Sequence, residues 1–246
     1  MRVLTLGVGD AFSALRYSSC VAVESGGAWL LVDCPHPIRK ILRESSGAAG
    51  LGLDVGDLVG VALTHLHADH SSGLEGIGYF SRFLLGRRMT LAAHPDVVAH
   101  LWSGHLAAGM THLLPAVGAP TVELGLADYF DVRPLSLDSA VEVGPFRIEC
   151  RMTIHHIPTT AFRISAGGRC LGYSADTAFD PGLIEWLGAG DLVFHETNHG
   201  VHTPYEKLAA LPAATRAKMR LIHYPDEFAV ADSAIEPLVE GRIYEV

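Results

Sequence analysis

Residues 57–77 read DLVGVALTHLHADHSSGLEGI. The opening apolar run has the length and β-branched content of a buried strand. It leads straight into Thr64-His65-Leu66-His67-Ala68-Asp69-His70. In the extended chain that leaves a strand, side chains two residues apart project to the same side, which pairs His65 with His67. Asp69 and His70 fall at the start of the next helical stretch and turn the opposite way. Four ligand-type side chains thus come from six residues. The spacing suits two metal ions a few ångströms apart, one held by His65/His67 and the other by Asp69/His70. The competing reading, a polar loop with chance histidines, leaves this arrangement behind an apolar strand unexplained.

Strand patterns flank the motif on both sides. Residues 2–8, 20–24 and 28–33 read as strands, the last two joined by a Gly26-Gly27 turn. Residues 35–46, 71–85 and 95–108 read as helices, and 88–93 as a strand. Residues 140–155 and 161–174 read as two hairpins, 191–195 and 219–224 as strands, and 204–212 as a helix, while 121–135 is mixed. Hairpins in both halves with helices between them predict α/β architecture as a four-layer αββα sandwich, one domain over 1–246. No repeat or linker interrupts the chain.

Composition narrows the class. The chain has 246 residues, 49% of them apolar, with 18 Lys+Arg against 27 Asp+Glu and a formal charge of −9. That balance opposes broad nucleic-acid binding. No run is long enough to span a membrane, the N-terminus reads as a strand and not a signal peptide, and Cys20, Cys34, Cys150 and Cys170 lack any CxxC spacing. A cytoplasmic protein with reduced thiols is expected.

A pair of metals needs further ligands. Candidates stand at strand ends downstream: His155 or His156 after FRIECRMTI, Asp176 in YSADT as a carboxylate able to bridge, and His223 in LIHY. Taken alone, a histidine at a strand end is more often a hydrogen-bonded structural residue; following HxHxDH in this order, these read as ligands.

These segments resemble the metallo-β-lactamase superfamily and, within it, the ribonuclease Z-like branch, over nearly the whole chain. LTLGVGDAF and SSCVAVESGGAWLLVDC look like the branch's opening strands, LTHLHADHSSGLEGI like its first metal motif, and HHIPTTAFRI like the segment of the third histidine. In the branch that ligand precedes the aromatic of an aromatic-Arg-aliphatic triplet by seven residues; Phe162-Arg163-Ile164 points to His155, with His156 as the fallback. GYSADT resembles the bridging-aspartate motif at Asp176, and His223 matches the last ligand. The resemblance implies one metal on His65, His67 and His155, the other on Asp69, His70 and His223, with Asp176 between them. It implies two divalent ions, zinc as the usual metal; a thiolate-free set also admits manganese or iron. DLVFHET resembles the branch's His-Glu segment at His195-Glu196, and His202-Thr203 its pair that assists the leaving group.

About 20 residues separate His155 from Asp176, filled by a tight hairpin. The arm with which ribonuclease Z grips transfer RNA has no room there, so a tRNA substrate is disfavoured. The expected activity is hydrolysis of a small, cyclic or open, phosphodiester by hydroxide generated between two metals. Asp69, His202 and Glu196 are the catalytic candidates, His202 as general acid oriented by Glu196. A carboxylic ester, lactone or thioester hydrolase with the same metals is the alternative; a non-hydrolytic metal-binding protein is the third reading. A mean hydropathy of +0.26 and the family's habit point to a homodimer. His94, His100, His105 and His112 read as surface-helix residues or pocket-mouth lining. His36, Tyr79, Trp102 and Tyr205 are weaker candidates to approach the site.

Overall fold

Apolar residues alternate or run continuously through the strands, as burial on one or both faces requires. A computed structural model describes all of residues 1–246. In chain order the strands are β1 (Arg2–Gly7), β2 (Cys20–Ser25), β3 (Ala28–Val32), β4 (Leu58–Ala62), β5 (Met89–Ala93), β6 (His112–Leu113), β7 (Val122–Glu123) and β8 (Phe130–Pro134). The second half supplies β9 (Val141–Val143), β10 (Phe146–Met152), β11 (Thr160–Ala166), β12 (Arg169–Tyr173), β13 (Leu192–Glu196), β14 (Met219–Ile222) and β15 (Ile243–Glu245). They form a seven-stranded sheet, β15-β1-β2-β3-β4-β5-β8, a six-stranded sheet, β14-β13-β12-β11-β10-β9, and the small β6-β7 ribbon.

The two large sheets pack face to face. Val21, Val23, Leu30 and Val32 of the first share one buried cluster with Phe146, Ile148, Phe162, Ile164 and Tyr173 of the second. The alternate residues Ala22, Trp29 and Leu31 face away, onto Ile38, Ile41 and Leu42 of the helix Ile38–Ala48, Leu74 and Ile77 of Leu74–Tyr79, and Val97 and Leu101 of Pro95–Leu101. The period-2 alternation of each strand therefore serves two cores at once. On the far side the helix Pro181–Gly188 buries Leu183, Ile184 and Leu187. It sits so close to β12 that a Cβ on Gly172 would lie 3.1 Å from the Leu187 carbonyl oxygen. The result is helices, sheet, sheet, helices, as expected. No helix is long and apolar enough to cross a membrane.

Three local expectations change. The helix read over 71–85 is broken: Ala68–Ser71 and Leu74–Tyr79 are separate, and Phe80–Leu84 widens into a π turn. The ladder breaks where the Gly73 N–H donates to the Cys34 carbonyl at 2.7 Å, a crossing so tight that a Cβ at Gly73 would stand 2.5 Å from the Pro35 carbonyl oxygen. The 95–108 helix likewise passes through a π turn at Trp102–Leu106. Finally β15, in a segment with no strand expected, pairs antiparallel with β1 from Arg2↔Glu245 to Leu4↔Ile243.

β3 and β4 are parallel neighbours, as are β12, β13 and β14. Their carboxyl ends open on the same edge of the sandwich, where α/β sheets commonly present their ligands. Thr160 ties the sheets together there, its N–H donating to the Thr64 carbonyl at 3.1 Å.

Candidate metal centre

Leaving β4, the chain stays extended through His67, whose φ of −62° and ψ of 147° make it the residue before the helix Ala68–Ser71. His65 Nε2 and His67 Nδ1 come within 3.0 Å of each other, and His155 Nε2 lies 3.3 Å from His67 Nδ1. Asp176 Oδ2 stands 3.7 Å from His65 Nε2 and 3.9 Å from His155 Nε2. On the other side Asp69 Oδ2 is 3.3 Å from both His70 Nε2 and His223 Nε2. Asp176 Oδ1 is 3.3 Å from His70 Nε2 and 3.6 Å from His223 Nε2. All seven side chains named from the sequence as ligands thus meet, in two groups that share Asp176, one carboxylate oxygen to each.

The donor set fits divalent cations. Tetrahedral coordination with bonds of about 2.05 Å places ligand atoms about 3.3 Å apart, in the middle of the observed separations. His70 Nε2 and Asp176 Oδ1 are buried without a hydrogen-bond partner, a costly state for polar atoms unless a cation satisfies them.

Of the two adjacent histidines, His155 turns its ring inward, with a side-chain exposure of 0%. His156 is exposed, its ring 4.7 Å from that of His67. Asp33, Ala175 and His223 are the three non-glycine residues with positive φ, at 60°, 52° and 59°. Each costs about 1–2 kcal/mol against an ordinary backbone, and all three cluster at this edge, where such strain is usually functional.

Asp33 and Thr64 escaped the sequence reading. Asp33 is fully buried and accepts the Thr64 N–H at 2.9 Å, the Thr64 hydroxyl at 2.9 Å and His70 Nδ1 at 2.9 Å. The one hydroxyl hydrogen of Thr64 goes to Asp33, so its oxygen accepts from His65 Nδ1, 2.9 Å away. One carboxylate thereby engages Nδ1 of one histidine in each group, directly or through Thr64, and leaves both Nε2 atoms facing the centre. The position of Asp33, closing the apolar run AWLLV as His223 closes MRLI, is the one trace it leaves in the sequence.

The groups differ electrically. Burial pushes His65 and His67 below the ordinary imidazole value and His155 down to about 4, against the opposing pull of acidic neighbours. At His223 burial also pulls down, but the charge of Asp176 and the hydrogen bond that Nε2 donates to Asp69 outweigh it and raise the ring to about 9. His70 is raised in the same way by Asp176, Asp33 and Asp69. Burial pushes Asp69 up, yet His70 and His223 hold it well below the usual carboxylate range.

Glu196 ends β13, fully buried, and its Oε1 accepts the Thr177 N–H at 2.7 Å and His202 Nδ1 at 3.0 Å. Burial drags His202 down, but Glu196 outweighs it and the net shift is upward. Burial raises Glu196 itself, against the pull of His202. His202 lines a cavity of about 400 Å³ with Asp10, Phe12, His67, Asp69, His156, Asp176, Asn198 and His223. Asn198 was not foreseen as a lining residue.

The weaker candidates lie elsewhere. His36 is exposed on a separate groove with Arg39 and Phe80. Tyr79 and Trp102 pack on Tyr129 in the outer apolar cluster, and Tyr205 on Phe228. His94 accepts the Asp96 N–H at its helix start, His105 rests 3.3 Å from Ser71 Oγ, and His100 and His112 are exposed. His195 is buried, its Nδ1 donating to the Glu196 carbonyl at 2.7 Å.

A family model described as anti-Pycsar protein Apyc1 matches residues 1–238. A Bacillus phage 010DV004 protein of that description is 32% identical over 262 residues, covering 99% of this chain and 98% of that protein. Among solved structures, the metallo-β-lactamase fold protein YhfI of Bacillus subtilis superposes with a TM-score of 0.73 at 19% identity, covering 99% of this chain and 98% of that one. The short form of human tRNase Z gives 0.72 at 18% identity, covering 100% and 99%. The chain thus has the metallo-β-lactamase fold, as those two structures do.

Proposed function

The chain belongs to the anti-Pycsar protein Apyc1 family, and from that premise we propose that it is a metal-dependent hydrolase of a small phosphodiester, with a cyclic nucleotide as its substrate class. The observation that carries the reading is the division of the Asp176 carboxylate between two donor groups. In this reading His65, His67 and His155 would hold one divalent cation and Asp69, His70 and His223 a second, with Asp176 between them and zinc as the metal. When bound, such a pair acidifies water to hydroxide at neutral pH and neutralises charge developing on a phosphoryl oxygen.

The remaining work falls to the chain's own residues. Asp33 and Thr64 engage Nδ1 of His70 and His65 and so aim both Nε2 atoms at the centre. Asp69, ionised through neutral pH, holds His70 and His223. His202, with Nδ1 given to Glu196, keeps Nε2 as the atom that delivers a proton to the departing alkoxide. Glu196 raises the basicity of that ring and, through Thr177, fastens it to the segment that follows Asp176. A cavity of about 400 Å³ falls within the range of small-ligand clefts, about 300–1,000 Å³.

The test is a substrate panel on protein loaded with zinc or manganese: 3′,5′-cyclic nucleotides, bis-p-nitrophenyl phosphate, a homoserine lactone and an acyl thioester. Hydrolysis of the phosphodiesters, abolished by chelator and restored by metal, is expected. Turnover of the lactone or thioester with inert phosphodiesters would overturn the reading in favour of carboxylic ester chemistry.

A further inference from the structure

Phe12 is 92% exposed, yet the loop that carries it, between β1 and β2, is fastened along its length. Asp226, just past His223, accepts the Ser13 hydroxyl, the Ala14 N–H at 2.7 Å, the Leu15 N–H at 3.2 Å and Arg16 Nη1 at 2.9 Å. Asp10 Oδ1 accepts the Phe12 N–H at 3.0 Å, and Asp10 Oδ2 accepts Asn198 Nδ2 at 3.0 Å. At the base, Gly9 N–H donates to the Tyr17 carbonyl at 2.9 Å. Gly9 is also packed so closely that a Cβ would stand 2.6 Å from the Ser13 Cβ. These bonds order the loop backbone before any ligand arrives, so little backbone entropy remains to be lost on binding.

The aromatic ring so held has no packing partner of its own, and it lines the cavity that contains His67, Asp69, Asp176, His202 and His223. Leu15, the other large exposed apolar side chain of the loop, does not. An unpartnered aromatic face carried by a pinned loop at the mouth of a phosphodiester site suits a planar ring.

We propose that Phe12 is a stacking platform for the nucleobase of the substrate, held in place by Asp10 and Asp226. The proposal rests on the cyclic-nucleotide reading above. It makes Phe12 a specificity residue: it touches the base and takes no part in breaking the P–O bond.

The experiment compares wild type, Phe12→Ala and Phe12→Trp on a 3′,5′-cyclic nucleotide and on 1-O-methylribose 3′,5′-cyclic phosphate, which keeps the reacting group and lacks the base. Phe12→Ala should raise KM for the nucleotide about tenfold to hundredfold. It should leave kcat within about threefold and leave the base-free compound unaffected, while Phe12→Trp should keep KM near wild type. In chelator-treated Phe12→Trp, the cyclic nucleotide should quench the added tryptophan fluorescence and the base-free compound should not. Equal losses on both compounds, a fall in kcat at unchanged KM, or no quenching would overturn the proposal. So would a change in sedimentation with Phe12→Ala, which would assign the ring to a subunit contact. Should wild type hydrolyse neither compound, the functional reading has failed, and the quenching alone then decides what Phe12 does.

Discussion

The first sheet brings His65, His67, Asp69 and His70 to the centre from one six-residue stretch, whereas the second brings His155, Asp176 and His223 from the ends of three separate strands. In the first case the placement is local: alternation in an extended chain, then one helical turn. In the second it depends on the register of β10, β12 and β14 and on how the sheets stack. The electrostatics do not follow this divide. Each donor group draws on both sheets, and the imidazole-rich group has lowered basicity while the one with Asp69 has raised basicity. The lesson is that the two sheets are coupled through the centre itself, most directly through Asp176.

Removing that shared carboxylate should have the largest effect. Asp176→Ala is expected to lose bound metal from both groups and at least about 10³-fold in turnover, the several kcal/mol of charge stabilisation that a metal site supplies. Elemental analysis beside circular dichroism checks it; retention of two metals per folded chain would show that the groups are independent. Next come the two adjacent histidines. His155→Ala should lower metal content and activity by about a hundredfold or more, while His156→Ala leaves metal content at the wild-type level. Equal metal loss in the two variants would mean that the inward ring of His155 is not what selects it.

Asp33→Asn tests whether one residue serves both groups. A carboxylate behind a metal-binding histidine is worth about 10–100-fold in affinity, so competitive chelator titration should show weaker binding at both sites. A loss confined to one would undo the role assigned to the Thr64 relay. The smallest effect is expected for Glu196→Gln, about tenfold at neutral pH on a substrate with a poor leaving group. The general acid must be protonated, and Glu196 holds His202 above the ordinary histidine value. Activity should therefore fall as pH rises through that raised value. Without the carboxylate that limb moves to lower pH, so the variant loses more at pH 8 than at pH 6. An unmoved limb in the pH profile would assign the titration to another group.

Much of the centre was legible because its donors close apolar strands: HxHxDH after DLVGVAL, Asp176 after RCLGY and its short turn, His223 after MRLI. Asp33 closes a strand in the same way, but a single carboxylate with no ligand neighbour in the chain carries no sign of the three donors that fold onto it. The break at Gly73 was hidden for a related reason. Helical periodicity over 71–85 reports side-chain faces, and what interrupts the ladder there is a distant backbone acceptor, the Cys34 carbonyl. β15 was overlooked because its partner, β1, lies at the other end of the chain.

The amino-acid order by itself determined the layered α/β architecture and the local quartet of donors, since both follow from the two-residue period of strands and the turn that succeeds them. The tertiary structure decided which of His155 and His156 faces inward, that Asp176 divides its oxygens, that Asp33 governs a histidine in each group, and that Phe12 stands bare at the cavity mouth. Those outcomes depend on strand register and sheet stacking, where a shift of one residue turns a side chain to the opposite face. They are set by contacts between segments that the linear order leaves far apart.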